Sequence, residues 1–183
     1  MNGEKDKTRI GDWFQTYTGL KFYPMDPKCE EINVIDISHS LGMLCRYNGH
    51  SLTFYSVAEH CVHVSNMFND NNELALYGLL HDAAEAYTSD IPRPLKPYIN
   101  NVKDIEQTIE KEIFKKFGLG PTIPKEIHDV DNRILNDERK QVMKFTYESW
   151  NIDPIPLGIE IFSWSPEVAT KKYLDRFYFL TKG

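Results

Sequence analysis

No apolar run in the 183-residue chain approaches the roughly 18–20 residues that would cross a bilayer, which excludes a helical membrane anchor. Met1 to Arg9 is polar and charged and lacks the hydrophobic stretch of a secretory signal. Cysteine is scarce: Cys29, Cys45 and Cys61 are odd in number and form no CxxC pair, so they read as free thiols in a reducing compartment, the cytoplasm, rather than as a disulfide framework. A basic excess is also missing. Lys and Arg total 21 against 27 Asp and Glu, a formal charge of −6, which argues against a sequence-independent coat on polymeric nucleic acid and leaves room only for a local basic pocket. Gly and Pro, 10 each, are too few for a fibrous or disordered polymer. What remains is a chain that is 41% apolar and rather rich in aromatics, enough for one domain with a real core.

Residues 1–10 read as a loose N-terminal tail, and 11–183 as a single domain. Gly11 to Pro27 mixes aromatics with Thr, Gly and Pro, which predicts short extended pieces and turns packed on something larger. Ile37, Leu41 and Leu44 share one face of a helix expected over Asp36–Cys45, followed by a turn at Tyr47–His50. Ser56-Val57-Ala58-Glu59 reads as a capping box opening a helix at Ser56 that runs to Phe68. Leu74, Tyr77, Leu80, Ala84 and Tyr87 predict one helix over Glu73–Tyr87, with His81, Asp82 and Glu85 inside it. The prolines of Ser89–Pro97 make a rigid connector. Helices follow over Val102–Phe117, with Gly118 as its C-cap, and after Pro124. Asn151–Ser163 reads as loop, and Ser165-Pro166 opens a last helix to about Leu180. The fold class is all-α, a helical bundle with a short irregular aromatic N-terminal segment.

His60, the His81-Asp82 pair and Asp131 fall on three different predicted helices. Imidazole nitrogen with carboxylate oxygen suits divalent metals such as Zn, Mn, Co or Fe, and facing helices of a bundle can bring such ligands to one point. A His-Asp dipeptide alone recurs by chance. The surrounding run His81-Asp82-Ala83-Ala84-Glu85 through Asp90-Ile91-Pro92-Arg93-Pro94-Leu95-Lys96, however, resembles the signature of the HD-domain phosphohydrolases, in particular the bacterial 5′-deoxynucleotidases. The resemblance includes Arg46, Ser56-Val57-Ala58-Glu59-His60 upstream and Val130-Asp131-Asn132-Arg133 downstream. The run from Gly11-Asp12-Trp13 to His60 is also similar to small HD hydrolases of bacteriophages and their hosts, among them dATP triphosphohydrolases.

The resemblance implies an HD-domain bundle in which His60, His81, Asp82 and Asp131 hold one divalent metal (Zn, Co or Mn), with additional Mg allowed. It implies Glu85 and Asp90 as the carboxylates that orient water and assist the leaving oxygen, and Arg46 and Lys96 as phosphate binders. Which carboxylate does which stays open. Asp137 lies roughly 240° around its helix from Asp131, and Asp129 nearly opposite, so only one of the three can point inward. His63 reads as structural or as a partner behind the ligands, His39 as hydrogen-bonding a loop or a carboxylate behind the ligands, His50 as lining the pocket mouth and His128 as a surface residue. Tyr47, Phe54 and Trp13 are candidates for a wall on which a nucleobase stacks. The leading expectation is hydrolysis of a dNTP, dATP first, to deoxynucleoside and triphosphate; 5′-deoxynucleotidase action on dNMPs is the alternative, and a silent HD scaffold that binds a nucleotide or protein is a third. The expected partner is a small deoxynucleotide, without polymeric nucleic acid or membrane, and the resemblance implies a homo-oligomer.

Overall fold

Asn33, Ser56, Asn71 and Ser165 each accept a backbone N–H from the first turn of the helix that follows, at Ile35, Glu59, Leu74 and Val168 respectively. Each side chain thereby satisfies one of the donors that a helix start leaves without a partner, and so sets the boundary. The structure is a computed structural model describing residues 6–152 and 155–182. The helices among them are α1 (Val34–Met43), α2 (Val57–Asn66), α3 (Asn72–Leu80), α4 (Glu85–Thr88), α5 (Val102–Lys116), α6 (Lys125–Val142) and α7 (Pro166–Thr181). A two-stranded antiparallel ribbon, β1 (Phe14–Gln15) and β2 (Lys21–Phe22), precedes them, with Phe14 opposite Phe22. The expected all-α architecture with a short irregular aromatic segment is what forms.

Helix α7 packs against α1, α2 and α3, and α6 leans on α2 and α3. The fully buried Tyr173 of α7 donates its hydroxyl proton to the Leu79 carbonyl at 2.8 Å, so even this large polar ring costs the core no unpaired group. Ile37, Leu41, Val57, Cys61, Ile109, Ile113, Ile127 and Ile134 have no exposed surface. Each such aliphatic side chain contributes roughly 1.5–3 kcal/mol by leaving water. Helices α2 and α3 approach closely because residue 78 is glycine: a Cβ there would lie 3.0 Å from Ser65 Cα. That approach brings His60 and His81 within reach of each other.

Several expectations change. The helix predicted over 73–87 is interrupted after Leu80: Ala83, Glu85, Ala86 and Tyr87 bond back three residues rather than four. The physical cause is local, since the His81 ring donates from Nδ1 to the Gly78 carbonyl at 2.8 Å, taking the acceptor that the Asp82 N–H would use in a continuous α-helix. α1 begins at Val34, two residues before the predicted Asp36, which lets Asp36 sit buried and accept from Thr16 Oγ1 (3.0 Å) and Thr18 Oγ1 (2.8 Å), tying the ribbon to the bundle. Residues 1–5 of the expected tail lie outside the described residues. Arg9, placed by sequence in that tail, is ion-paired with Asp26 at 2.6 Å and with Glu31.

The capping box is only half made. Ser56 Oγ accepts the Glu59 N–H, but the Glu59 carboxylate does not reach back; fully buried, it accepts the N–H groups of Phe162 (2.8 Å), Ser163 (3.0 Å) and Trp164 (2.7 Å). The segment between α6 and α7 is fastened in the same manner. Asp137 accepts from Leu157 N (2.7 Å) and Gly158 N (3.0 Å), and Arg133 donates to the carbonyls of Ile155 (3.2 Å) and Pro156 (3.1 Å). Asp137 is thus buried, on a side of α6 that serves this segment. Both side chains replace the backbone partners that an irregular segment lacks.

Candidate metal and phosphate site

The site begins with two imidazoles whose orientations are fixed from behind. On α2, the Nδ1 atom of fully buried His60 lies 2.7 Å from Glu138 Oε1. An ionised carboxylate only accepts, so Nδ1 carries the proton and Nε2 presents its lone pair. At the end of α3, the carbonyl of Gly78 imposes the same tautomer on His81. The two Nε2 atoms face each other at 3.2 Å. Two lone pairs at that distance repel unless a proton or a cation lies between them.

Carboxylates complete the ring. Asp82 Oδ2 is 3.3 Å from His81 Nε2 and 3.6 Å from His60 Nε2, and Asp131 Oδ1 of α6 is 3.2 Å from His60 Nε2 and 3.8 Å from His81 Nε2. His60, His81 and Asp82 can each point one ligand atom into a space where all lie within 4.8 Å of one another. Burial and Arg46 disfavour charge on His60, yet Glu138 and Asp131 outweigh them and raise its pKa. Burial opposes charge on His81 too, and Asp82 and its neighbours raise its pKa well above the usual histidine value. Burial alone would raise Asp131, but the two histidines pull its pKa well down. The local field favours positive charge where the four groups converge, and the N,N,O,O donor set fits a borderline divalent ion.

Glu138 was not picked out from the sequence. It is fully buried and takes the Tyr55 hydroxyl at 2.9 Å on Oε1, and both the Tyr47 hydroxyl and, at 3.2 Å, Arg46 Nη2 on Oε2. Burial pushes its pKa up, but Arg46 and His60 prevail and hold it at about 2. A signal existed: Glu138 follows Asp131 by seven residues, roughly two helical turns, so the two share a face of α6. Arg46 spans the centre, with Nη1 3.5 Å from Asp82 Oδ2. Tyr47 reaches Glu138 through a backbone at φ 56°, a left-handed conformation uncommon for a bulky residue and often stored at functional sites.

Outward from this centre opens a cleft of about 540 Å³ whose walls include Arg46, Tyr47, Asp82, Glu85, Asp90 and Lys96, and also Asp131 and Arg93. Glu85 lies on α4, buried, with Oε2 lacking a hydrogen-bond partner. Burial, then the charges of Asp82 and Asp90, raise its pKa well above the ordinary glutamate value. Ser89, at φ 73°, turns the chain after α4 and delivers Asp90, whose pKa burial also raises. Lys96 Nζ is 3.1 Å from Glu106 and 3.6 Å from Glu85.

All eight residues singled out for metal, acid–base or phosphate roles, and Tyr47 with them, therefore meet at one end of the bundle. The aromatic wall is corrected. Neither Trp13 nor Phe54 lines the cleft: the Trp13 ring takes Lys21 Nζ at 4.7 Å beside the ribbon, and Phe54 is half-buried elsewhere. His50 is exposed and outside the lining, while Trp150, unnoticed in the sequence, is part of it. His63 is buried beside Glu59 and stacks on Trp164 (5.5 Å) and Phe162 (6.2 Å), a structural use. His39 stacks on Tyr17 at 3.6 Å, and His128 and Asp129 are exposed.

A helix-borne histidine, a His-Asp pair at a broken helix and an aspartate from a later helix, converging inside an all-α bundle, define an HD-domain phosphohydrolase. The chain belongs to the family described as 5′-deoxynucleotidase YfbR-like, which matches residues 46–149. It is 34% identical over 169 residues to the protein YfdR of Escherichia coli K12, covering 90% of this chain and 93% of the relative, whose name assigns no activity. It is 31% identical over 104 residues to the 5′-deoxynucleotidase YfbR of Escherichia coli K12, covering 52% of this chain and 51% of that enzyme. A protein of Rhodobacter capsulatus without an assigned activity shares 30% identity over 120 residues, 61% of each chain.

Proposed function

We propose that this protein is a metal-dependent hydrolase of deoxynucleotides that cleaves the 5′ phosphoester and releases the deoxynucleoside. The observation that carries the reading is the pair of Nε2 atoms 3.2 Å apart, ringed by Asp82 and Asp131, beside the buried Glu85 on the cleft wall, whose Oε2 has no hydrogen-bond partner. His60, His81, Asp82 and Asp131 would hold the ion. A bound divalent ion supplies Lewis acidity and an acidified water.

The chain's own groups divide the remaining work. The water oxygen forms a bond to phosphorus, the bond from phosphorus to O5′ breaks, and O5′ must gain a proton. Glu85, protonated by burial and by its acidic neighbours, is the donor for that oxygen, and Asp90 orients the water. Arg46 and Lys96 draw the phosphate in and offset its charge. Tyr47 borders the same space.

The charge inventory supports the monophosphate best. Arg46 is already matched by Asp82 and Glu138, and Lys96 by Glu106, which leaves little positive charge for a polyphosphate tail. The triphosphate, dATP first among the sequence expectations, is the second reading. It is favoured by Arg93, whose side chain is 65% exposed on the cleft wall beside Asp131. The deciding experiment offers dNMPs, dNTPs and rNTPs to metal-stripped protein supplied with Mn, Co, Zn or Mg, with products resolved by ion exchange. Deoxynucleoside plus phosphate from dNMPs is expected; triphosphate from dNTPs would establish the second reading. Metal binding without turnover of any nucleotide would overturn both and leave a silent scaffold.

A further inference from the structure

The groups assigned above to metal and phosphate chemistry lie between residues 46 and 131, inside the stretch that the family matches. One wall of the cleft does not. Trp150, Asn151 and Ile152 follow the last matched residue, 149, and line the same cleft as Arg46 and Glu85. We propose that Trp150 is the platform on which the nucleobase stacks, a specificity-determining residue supplied by the segment between α6 and α7. The inference rests on the reading of the cleft as a nucleotide site.

The chain has three tryptophans, and two are spoken for. Trp13 is paired with Lys21, and Trp164 is enclosed by His63, Phe162 and Lys172. Trp150 is half-buried on the cleft wall, with the Tyr47 ring 5.6 Å away at 49°, so the two rings form an aromatic corner in the cleft that Arg46 and Lys96 also line. Leu135 adds apolar surface to the same cleft. A nucleobase offers a flat π face, which such a corner recognises whatever the base.

The platform is also held before any ligand arrives. Arg139 of α6 lies 5.6 Å over the Trp150 ring and donates to the carbonyls of Thr146 (3.2 Å) and Glu148. Further along, Arg133 and Asp137 fasten residues 155–158. A ring backed by Arg139 needs little ordering when a base docks on it, so more of the stacking energy appears as affinity. α6 thus offers Asp131 to the metal centre and, with Arg139, sets the place of the base.

The test compares deoxyadenosine monophosphate with deoxyribose 5-phosphate, which carries the same sugar and phosphate but no base, on the full chain with Mn. For Trp150→Ala, the ratio of kcat/KM for the nucleotide to that for the sugar phosphate should fall about five- to a hundredfold, the range of one stacked base, mostly through KM. Trp150→Phe should restore most of the ratio. A ratio unchanged within twofold in Trp150→Ala would overturn the proposal. Tryptophan fluorescence reads it independently of turnover: the nucleotide should quench emission of the wild-type protein and much less that of Trp150→Phe. Quenching without hydrolysis of either compound would remove the proposed activity and keep the platform; quenching equal in both proteins, or absent from both, would remove the platform.

Discussion

Glu138 shows how much a single buried side chain can organise. It takes donors from Arg46, Tyr47, Tyr55 and His60. Removing its charge leaves those donors facing a weaker acceptor and frees the His60 ring to rotate. Glu138→Gln is expected to lower metal affinity about 10–100-fold, as loss of a carboxylate behind a ligating histidine typically does; calorimetric titration of Mn into the metal-stripped protein measures it. Glu85 should behave in the opposite way. Glu85→Gln is expected to bind metal as the wild type does while turnover falls about 10²–10⁴-fold, the usual worth of a positioned acid. Loss of metal from that variant would show Glu85 to be a ligand instead. On the page of the sequence, Glu138 sits in Asn136-Asp137-Glu138-Arg139-Lys140, which looks like a solvated face. Only its spacing from Asp131 distinguishes it, and Asp131 was itself preferred over Asp129 and Asp137 there only through the family signature.

At the scale of elements, the legible features were those with a local cause. Ser56 and Ser165 mark helix starts because their side chains cap within their own turn, and these boundaries stand where the sequence put them. The break after Leu80 was hidden, because the apolar spacing of Leu80, Ala84 and Tyr87 continues through it while the interruption comes from one ring taking one carbonyl. Glu59 was misread for a related reason. Its position three residues after Ser56 is that of a capping partner, but its acceptors' true donors are more than a hundred residues away in the chain. Truncating it strands three N–H groups in a buried place. Glu59→Ala is expected to cost about 3 kcal/mol or more, read from the urea midpoint at constant slope. The Gly78 approach invites a second test of the α2–α3 contact: Gly78→Ala sets a Cβ 3.0 Å from Ser65 Cα, backbone that cannot rotate away, and should destabilise by about 1–3 kcal/mol.

For the whole molecule, metal and fold are linked. If an ion occupies the centre at a thousandfold excess over its Kd, it adds about 4 kcal/mol to stability, on the order of 10 °C in Tm for a chain of this length. Chelation followed by calorimetry should reveal that drop, and Mn should reverse it; an unchanged Tm would mean that no ion is held in the native state. The thiols report on packing elsewhere. Cys61 is fully buried, and burial pushes its pKa up to about 11, whereas Cys29 and Cys45 are partly exposed. At pH 8 a thiol reagent should therefore leave Cys61 unmodified until denaturant is added, while Cys45 reacts in the native protein.

The spread of the site along the chain bears on how the protein is made. His60, His81 and Asp82 leave the ribosome early, whereas Asp131 and Glu138 belong to α6 and emerge some fifty residues later, a delay of a few seconds at about 5–20 residues per second. During that interval the nascent chain carries an incomplete ligand set, with His60 not yet steadied by its carboxylate and the loop that Glu59 will hold not yet synthesised. An ion held as proposed would therefore be acquired only once α6 docks, and a chain terminated before Glu138 would emerge with the His-Asp pair intact and no settled centre to show for it.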